Sequence, residues 1–140
     1  MPKTMHCDVV SAERQMFSGT VEFLVVPATE GDIGVLPGHA PLLTQINQGP
    51  VRVILEGGEE KIFFVSGGFL EIQPNSVTVL TDTADRAEAL DEASIERAKQ
   101  TAKEVLEGKN TDMDYSRAAA VLAESIAQLR AIQQLRKHIR

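Results

Sequence analysis

Near residues 84–90 the spacing of apolar side chains lengthens from two to between three and four, and this limits the fold more than any other feature. Up to that point short β-branched and aromatic segments alternate with Gly, Pro, Asn and Asp. They run from Met5 to Val10, Val21 to Val26, Leu42 to Ile46, Val51 to Leu55, Lys61 to Val65, Phe69 to Gln73 and Ser76 to Leu80. Such spacing predicts an all-β domain, a β-sandwich or barrel, over residues 1–86. Val51, Val53 and Leu55 share one face of their strand, as Val77 and Val79 do of theirs, and both faces are assigned to the core. Glu56-Gly57-Gly58-Glu59 and Gln73-Pro74-Asn75-Ser76 carry turn residues, which predicts antiparallel hairpins at both places.

After Leu90 the punctuation almost stops and alanines accumulate, so residues 87–140 are expected to form an antiparallel α-helical hairpin. Asp91 is placed to cap the first helix, whose inner face would carry Ile95, Ala98, Ala102, Val105 and Leu106, and Gly108 to end it. The second helix is expected after Thr111 or Asp112, with Ala119, Leu122, Ala123, Ile126 and Leu129 as its stripe. The large apolar side chains of this pair are few for the chain they must order, so the hairpin reads as conditionally docked. Ile132, Leu135 and Ile139 continue the apolar positions beyond the shorter first helix, which predicts that some further surface covers them.

A formal charge of -6 conceals an asymmetry: from Ser125 onward Arg130, Arg136, Lys137 and Arg140 stand without an acidic residue. An acidic partner surface suits that end, whereas the acidic remainder repels phosphate backbones. With no Trp and Tyr115 as the single tyrosine, there is no stacking platform for single strands, and nucleic acid is excluded as a partner. Cys7 is the single cysteine, so no disulfide closes within the chain and no thiolate cluster holds a metal. Met1 to Asp8 lack a signal-peptide pattern, and no run approaches the ~18 apolar residues of a membrane span; no direct membrane insertion is expected.

No constellation supports catalysis. Glu30 to Pro41 reads as a tight exposed loop, without the spacing or lysine of a phosphate cradle, and its Asp32 and His39 have no nucleophile nearby. Ser66-Gly67-Gly68 lacks the pattern of a nucleophile elbow and reads as a turn or bulge. His6, His39 and His138 are scattered without ligand spacing. Asp82, Asp85, Glu88, Asp91 and Glu92 lack the spacing and central Gly of a calcium loop. No cofactor, metal or catalytic residue is assigned.

Asp8-Val9-Val10-Ser11-Ala12-Glu13, Met16-Phe17-Ser18-Gly19, Gly34 to Leu42 (GVLPGHAPL), Ser66 to Pro74 (SGGFLEIQP) and Val77-Thr78-Val79-Leu80 together resemble the epsilon subunits of bacterial F-type ATP synthases, essentially end to end. The resemblance implies a non-catalytic rotor component at the foot of the central stalk, bound to the gamma subunit and the c-subunit ring, at the cytoplasmic face of the inner membrane. It implies that Glu30, Asp32 and His39 touch the polar loops of the c ring. It also implies that the hairpin either lies on the sandwich or extends along gamma into the head of alpha and beta subunits, restraining ATP hydrolysis. There Arg130, Arg136 and Lys137 would meet an acidic segment of the beta subunit. Some members bind ATP through Ile or Leu, Asp, two variable residues, Arg and Ala. Here Leu90 and Asp91 are kept, but Ser94 and Ile95 stand where Arg and Ala are expected, which removes a cation for phosphate and argues against ATP binding. Composition and periodicity fit equally well a stand-alone β-sandwich adaptor that binds another protein through its hairpin, whereas a small-hydrolase reading would require Ser66 and His39 to converge in one pocket.

Overall fold

The structure is a computed structural model describing residues 3–139, with side chains described as far as Lys137. His138, Ile139 and Arg140, drawn on above as a histidine, an apolar position and a cation, lie outside the described side chains. The strands are β1 (Met5–Ser11), β2 (Gln15–Ala28), β3 (Gly31–Val35), β4 (Leu42–Ile46), β5 (Gly49–Leu55), β6 (Glu60–Val65), β7 (Gly68–Gln73), β8 (Ser76–Thr81) and β9 (Ala84–Arg86). A single 3-10 turn at Ala87–Ala89 leads to helices α1 (Glu92–Leu106) and α2 (Tyr115–Ile139).

The strands pair in the order β1, β8, β7, β4, β2, β5, β6, β9, with β3 on β2 and β1 also on β2. Hydrogen bonding thus runs from one layer of the sandwich to the other through β2, whose 14 residues pair with β1 at one end and with β3 and β5 at the other. A register shift between Val21 and Phe23 marks the place where β2 changes partners, as a bulge does when a strand turns between layers. Both expected hairpins form, β5–β6 and β7–β8. β1 and β8, however, run parallel, from His6 opposite Ser76 to Ser11 opposite Thr81. Parallel neighbours need a long connection, and here most of the domain supplies it.

Val51, Val53, Val77 and Val79 are buried as their alternation requires, while Leu55 packs at the edge of the same core. Leu24, Phe63, Leu70 and Ile72 fill its middle. Gly68 is fixed by close packing: at φ +142 an added Cβ would stand 2.0 Å from the Leu80 carbonyl oxygen.

Two elements depart from expectation. Residues 31–35, read as loop, form β3 against β2, and Ala84–Arg86, outside every strand segment read from the sequence, form β9 against β6. Both are short strands rich in Gly or charge, and each is held by its neighbour's ladder more than by its own propensity.

Asp91 caps α1 as expected, its carboxylate accepting from the Ser94 N–H at 3.4 Å. At the other end Gly108, at φ +79, donates to the Val105 carbonyl and Lys109 to that of Glu104, the bonding of a Schellman motif. The second helix starts later than expected, because Asp114 takes the cap and accepts from the Arg117 N–H at 2.7 Å. Its seam on α1 is Ala118, Leu122, Ser125, Leu129 and Ile132, spaced four, three, four and three. Ala98, Ala119, Ala123 and Ile126, expected on the inner faces, are exposed.

The stripe misleads because α2 has two buried faces. Leu129 and Ile132 meet Ile95 of α1, while Ala127, Ala131 and Leu135 meet Ile62 and Phe64 of β6, together with Ala87 and Leu90. Of the positions expected to lie beyond the first helix, Ile132 is covered by α1 after all, because Ile95 in its first turn reaches that level, and Leu135 is covered by the sandwich. β6 is covered on both faces, its Phe63 and Val65 facing the core and its Ile62 and Phe64 the hairpin.

Candidate functional site

Glu30 sits at the tip of the β2–β3 hairpin, and Asp32 follows on β3 opposite Pro27; both are exposed. His39 lies beyond the other end of β3. Its N–H donates to the Leu36 carbonyl, the Gly38 N–H donates to Pro74 at 3.0 Å, and its Nδ1 lies 2.7 Å from the Ala40 carbonyl oxygen. Glu30 and Asp32 thus share the end of the sandwich where Ala28 pairs with Ile46, and His39 sits beside the β7–β8 turn. One patch holds the two carboxylates but not the imidazole.

Ser66 precedes β7 and Pro74 follows it, so Ser66 and His39 stand at opposite ends of that strand, on the order of 20 Å apart at ~3.3 Å per residue. The hydrolase reading falls on that separation. Ser66 Oγ accepts from the Thr83 N–H at 3.0 Å, and Thr81 Oγ1 donates to the Gly67 carbonyl at 2.5 Å. The Ser-Gly-Gly motif ties the β6–β7 and β8–β9 connections together.

On β1, His6 Nε2 lies 3.0 Å from Asp8 Oδ1, and Gln15 Nε2 donates to the same oxygen at 3.2 Å. Ser18 beside it, then His6 and Gln15, hold the Asp8 carboxyl below its ordinary pKa. Ser18 Oγ and Asp8 both approach Nε2, so the imidazole is not set up to relay a proton from the hydroxyl to the carboxylate. Cys7 faces the core, and burial, with the nearby Asp8 charge, pushes its thiol up to about 12. Among the described residues no group of three or more His, Cys, Asp and Glu gathers at metal-binding distance, and no helix is long and apolar enough to cross a membrane.

At the start of α1, Ser94 Oγ donates to Asp91 Oδ2 at 2.8 Å. Arg97 reaches back one turn to Ser94 Oγ at 3.1 Å. The Ser94 hydroxyl, and next its N–H, lower the Asp91 carboxyl below its usual range. Ser94 therefore answers the carboxylate from the position where an arginine was expected, and Ile95 is buried against Leu129 and Ile132. On α2 Arg130, Arg136 and Lys137 are exposed, and Arg136 bonds to Glu92 in the first turn of α1.

Sequence reasoning missed an apolar face. Phe69 and Leu80 are paired across β7 and β8, yet are 52% and 47% exposed. Val10 stands opposite Leu80 on the next strand, and Leu43, 67% exposed, lies on β4 opposite Glu71. These side chains occupy the outward phase of strands whose inward phase is the core, so alternation alone could have singled them out. The hairpin covers the outer face of the other layer, at β5 and β6.

Two family models match the chain: the β-sandwich domain of the ATP synthase delta/epsilon chain over residues 4–87, and the long α-helix domain of the same chain over residues 88–133. Curated relatives are close. An ATP synthase epsilon chain of Chromohalobacter salexigens is 57% identical over 134 residues, covering 96% of this chain and 95% of the relative. One from Teredinibacter turnerae is 56% identical over 141 aligned positions, covering 100% of both. Among solved structures, a chain of the Euglena gracilis mitochondrial ATP synthase, in an assembly of OSCP, F1 and c ring, superposes with a TM-score of 0.73 at 22% identity, spanning 100% of this chain and 84% of the other. A chain from the central stalk and c ring of the Tetrahymena thermophila mitochondrial enzyme gives 0.56 at 15% identity, spanning 96% of each. These two likenesses establish the shared fold.

Proposed function

Since the chain belongs to the ATP synthase delta/epsilon chain family, we propose that it serves as the epsilon-type subunit of an F-type ATP synthase, a non-catalytic part of the central stalk. In this reading residues 1–86 form the anchor and residues 87–140 the regulatory hairpin. The gamma subunit docks on the outer face of β7 and β8, where Phe69 and Leu80 offer an apolar centre. Glu30 and Asp32 meet the polar loops of the c ring. His39, at the opposite end of β3, belongs to the rim of the gamma contact instead. The complex holds the chain at the cytoplasmic face of a bacterial inner membrane.

The hairpin restrains ATP hydrolysis when it leaves the sandwich, extends toward the alpha and beta subunits, and offers Arg130, Arg136 and Lys137 to an acidic surface of beta. What supports a detachable hairpin is its seat: Ala127 and Ala131 present little apolar area to Ile62 and Phe64, so docking is shallow. Bound ATP has no part in this reading, because Asp91 is satisfied by Ser94 within its own helix.

The single observation that carries the anchoring role is the exposed Phe69 and Leu80 pair on the layer that the hairpin leaves bare. The test is co-purification of the full chain with gamma and the c ring. The wild-type chain is expected to bring down both, and the Phe69→Glu, Leu80→Glu double variant to lose gamma while staying folded by circular dichroism. Wild-type chain that captures neither would favour a stand-alone adaptor.

A further inference from the structure

One polar contact closes the hairpin onto its own root. Arg136 lies in the last turn of α2, next to Leu135, which rests on the sandwich. Glu92 lies in the first turn of α1, directly after the segment from Ala87 to Asp91 that joins the two parts. The guanidinium of Arg136 donates to Glu92 across 44 residues of sequence, and it is the bond that ties these two ends. The same groove between the helices is lined by Glu96, Lys99, Arg130 and Gln133. Among the described residues Glu96 has no ion pair there, and Glu92 is the carboxylate of this groove that engages a cation of α2.

We propose that Glu92 is an internal competitor for Arg136: it occupies the guanidinium while the hairpin is docked, and an acidic partner must displace it. This rests on the reading that the hairpin detaches, and it names the residue that biases the exchange. Glu92 engages one Nη of Arg136, so an outside carboxylate that grips the guanidinium bidentately through that nitrogen must displace Glu92. Linkage then requires reciprocity: whatever Glu92 adds to the docked state it subtracts from affinity for the acidic partner, by the same factor. With side chains 66% and 39% exposed, the pair sets a bias and not a lock. Screening by salt weakens both sides of the competition.

The test uses the isolated full chain, a poly-glutamate peptide as the acidic probe, and amide hydrogen exchange at residues 127–131 as the readout of docking. Glu92→Gln keeps the side-chain shape and the exposed position. It is expected to tighten poly-glutamate binding roughly threefold to fivefold at low salt and to speed exchange by a similar factor. Glu96→Gln, which removes the same charge one turn away, is expected to change neither, and adding Arg136→Gln to Glu92→Gln is expected to abolish the gain in binding. Unchanged affinity and exchange in Glu92→Gln would overturn the proposal, as would an equal gain in Glu96→Gln, which would assign the effect to net charge. Because the readout needs no catalytic head, a hairpin with no influence on hydrolysis would remove the inhibitory role and leave this competition standing.

Discussion

Individual side chains here are explained by what lies within one turn or one strand of them. Asp91 and Gly108 could be assigned from sequence because caps are local: a carboxylate three residues before a free N–H, and a glycine at the αL position. The role of Ser94 was legible only as an absence of charge, and the structure adds that its hydroxyl engages the carboxylate an arginine would have faced. Cys7 yields a pH prediction. Its thiol is raised to about 12, so the stability it contributes is complete below the ordinary thiol pKa of ~8.5 and is lost as pH rises from there toward the folded value. At pH 8 the native thiol is expected to resist an aromatic disulfide reagent and to react only as fast as the protein unfolds. A rapid reaction in native buffer would contradict the burial.

At the level of elements, what sequence could not supply was the number of faces each one buries. The run Ile62-Phe63-Phe64-Val65 breaks strict alternation, which marks a strand covered on both sides, but nothing in it names the covering element. In α2 the alanines at 118, 119, 120, 123, 127 and 131 look alike in sequence, so a single stripe fell between its two true faces. β3 and β9 were invisible because their ladders, not their residues, make them strands. The hairpin seat can be tested at Ala131, which is fully buried against β6. Ala131→Glu puts a carboxylate among Ile62, Phe64 and Ala87, where its desolvation outweighs the shallow apolar contact. The variant is expected to shift the amide resonances of residues 62 and 64 and leave those of Leu70 and Ile72 in place. Coincident loss of both sets would mean that the hairpin and sandwich unfold as one unit.

For the molecule as a whole, the change of period near residues 84–90 foretold two unlike parts, and the charge asymmetry is the ground on which the proposed function gives the end of α2 an acidic partner. The way the layers close was hidden, since the parallel β1–β8 pairing joins residues some 70 positions apart and leaves no local trace. The apolar face at Phe69 and Leu80 lies on the layer opposite the docked hairpin, and in the proposed function it is what a partner holds while the hairpin moves. That independence is the central claim, and it is tested most directly by the ATP hydrolysis rate of the assembled enzyme carrying the chain truncated after Ala89. Faster hydrolysis than with the full chain, with proton coupling retained, is the predicted result; an unchanged rate would contradict an inhibitory hairpin.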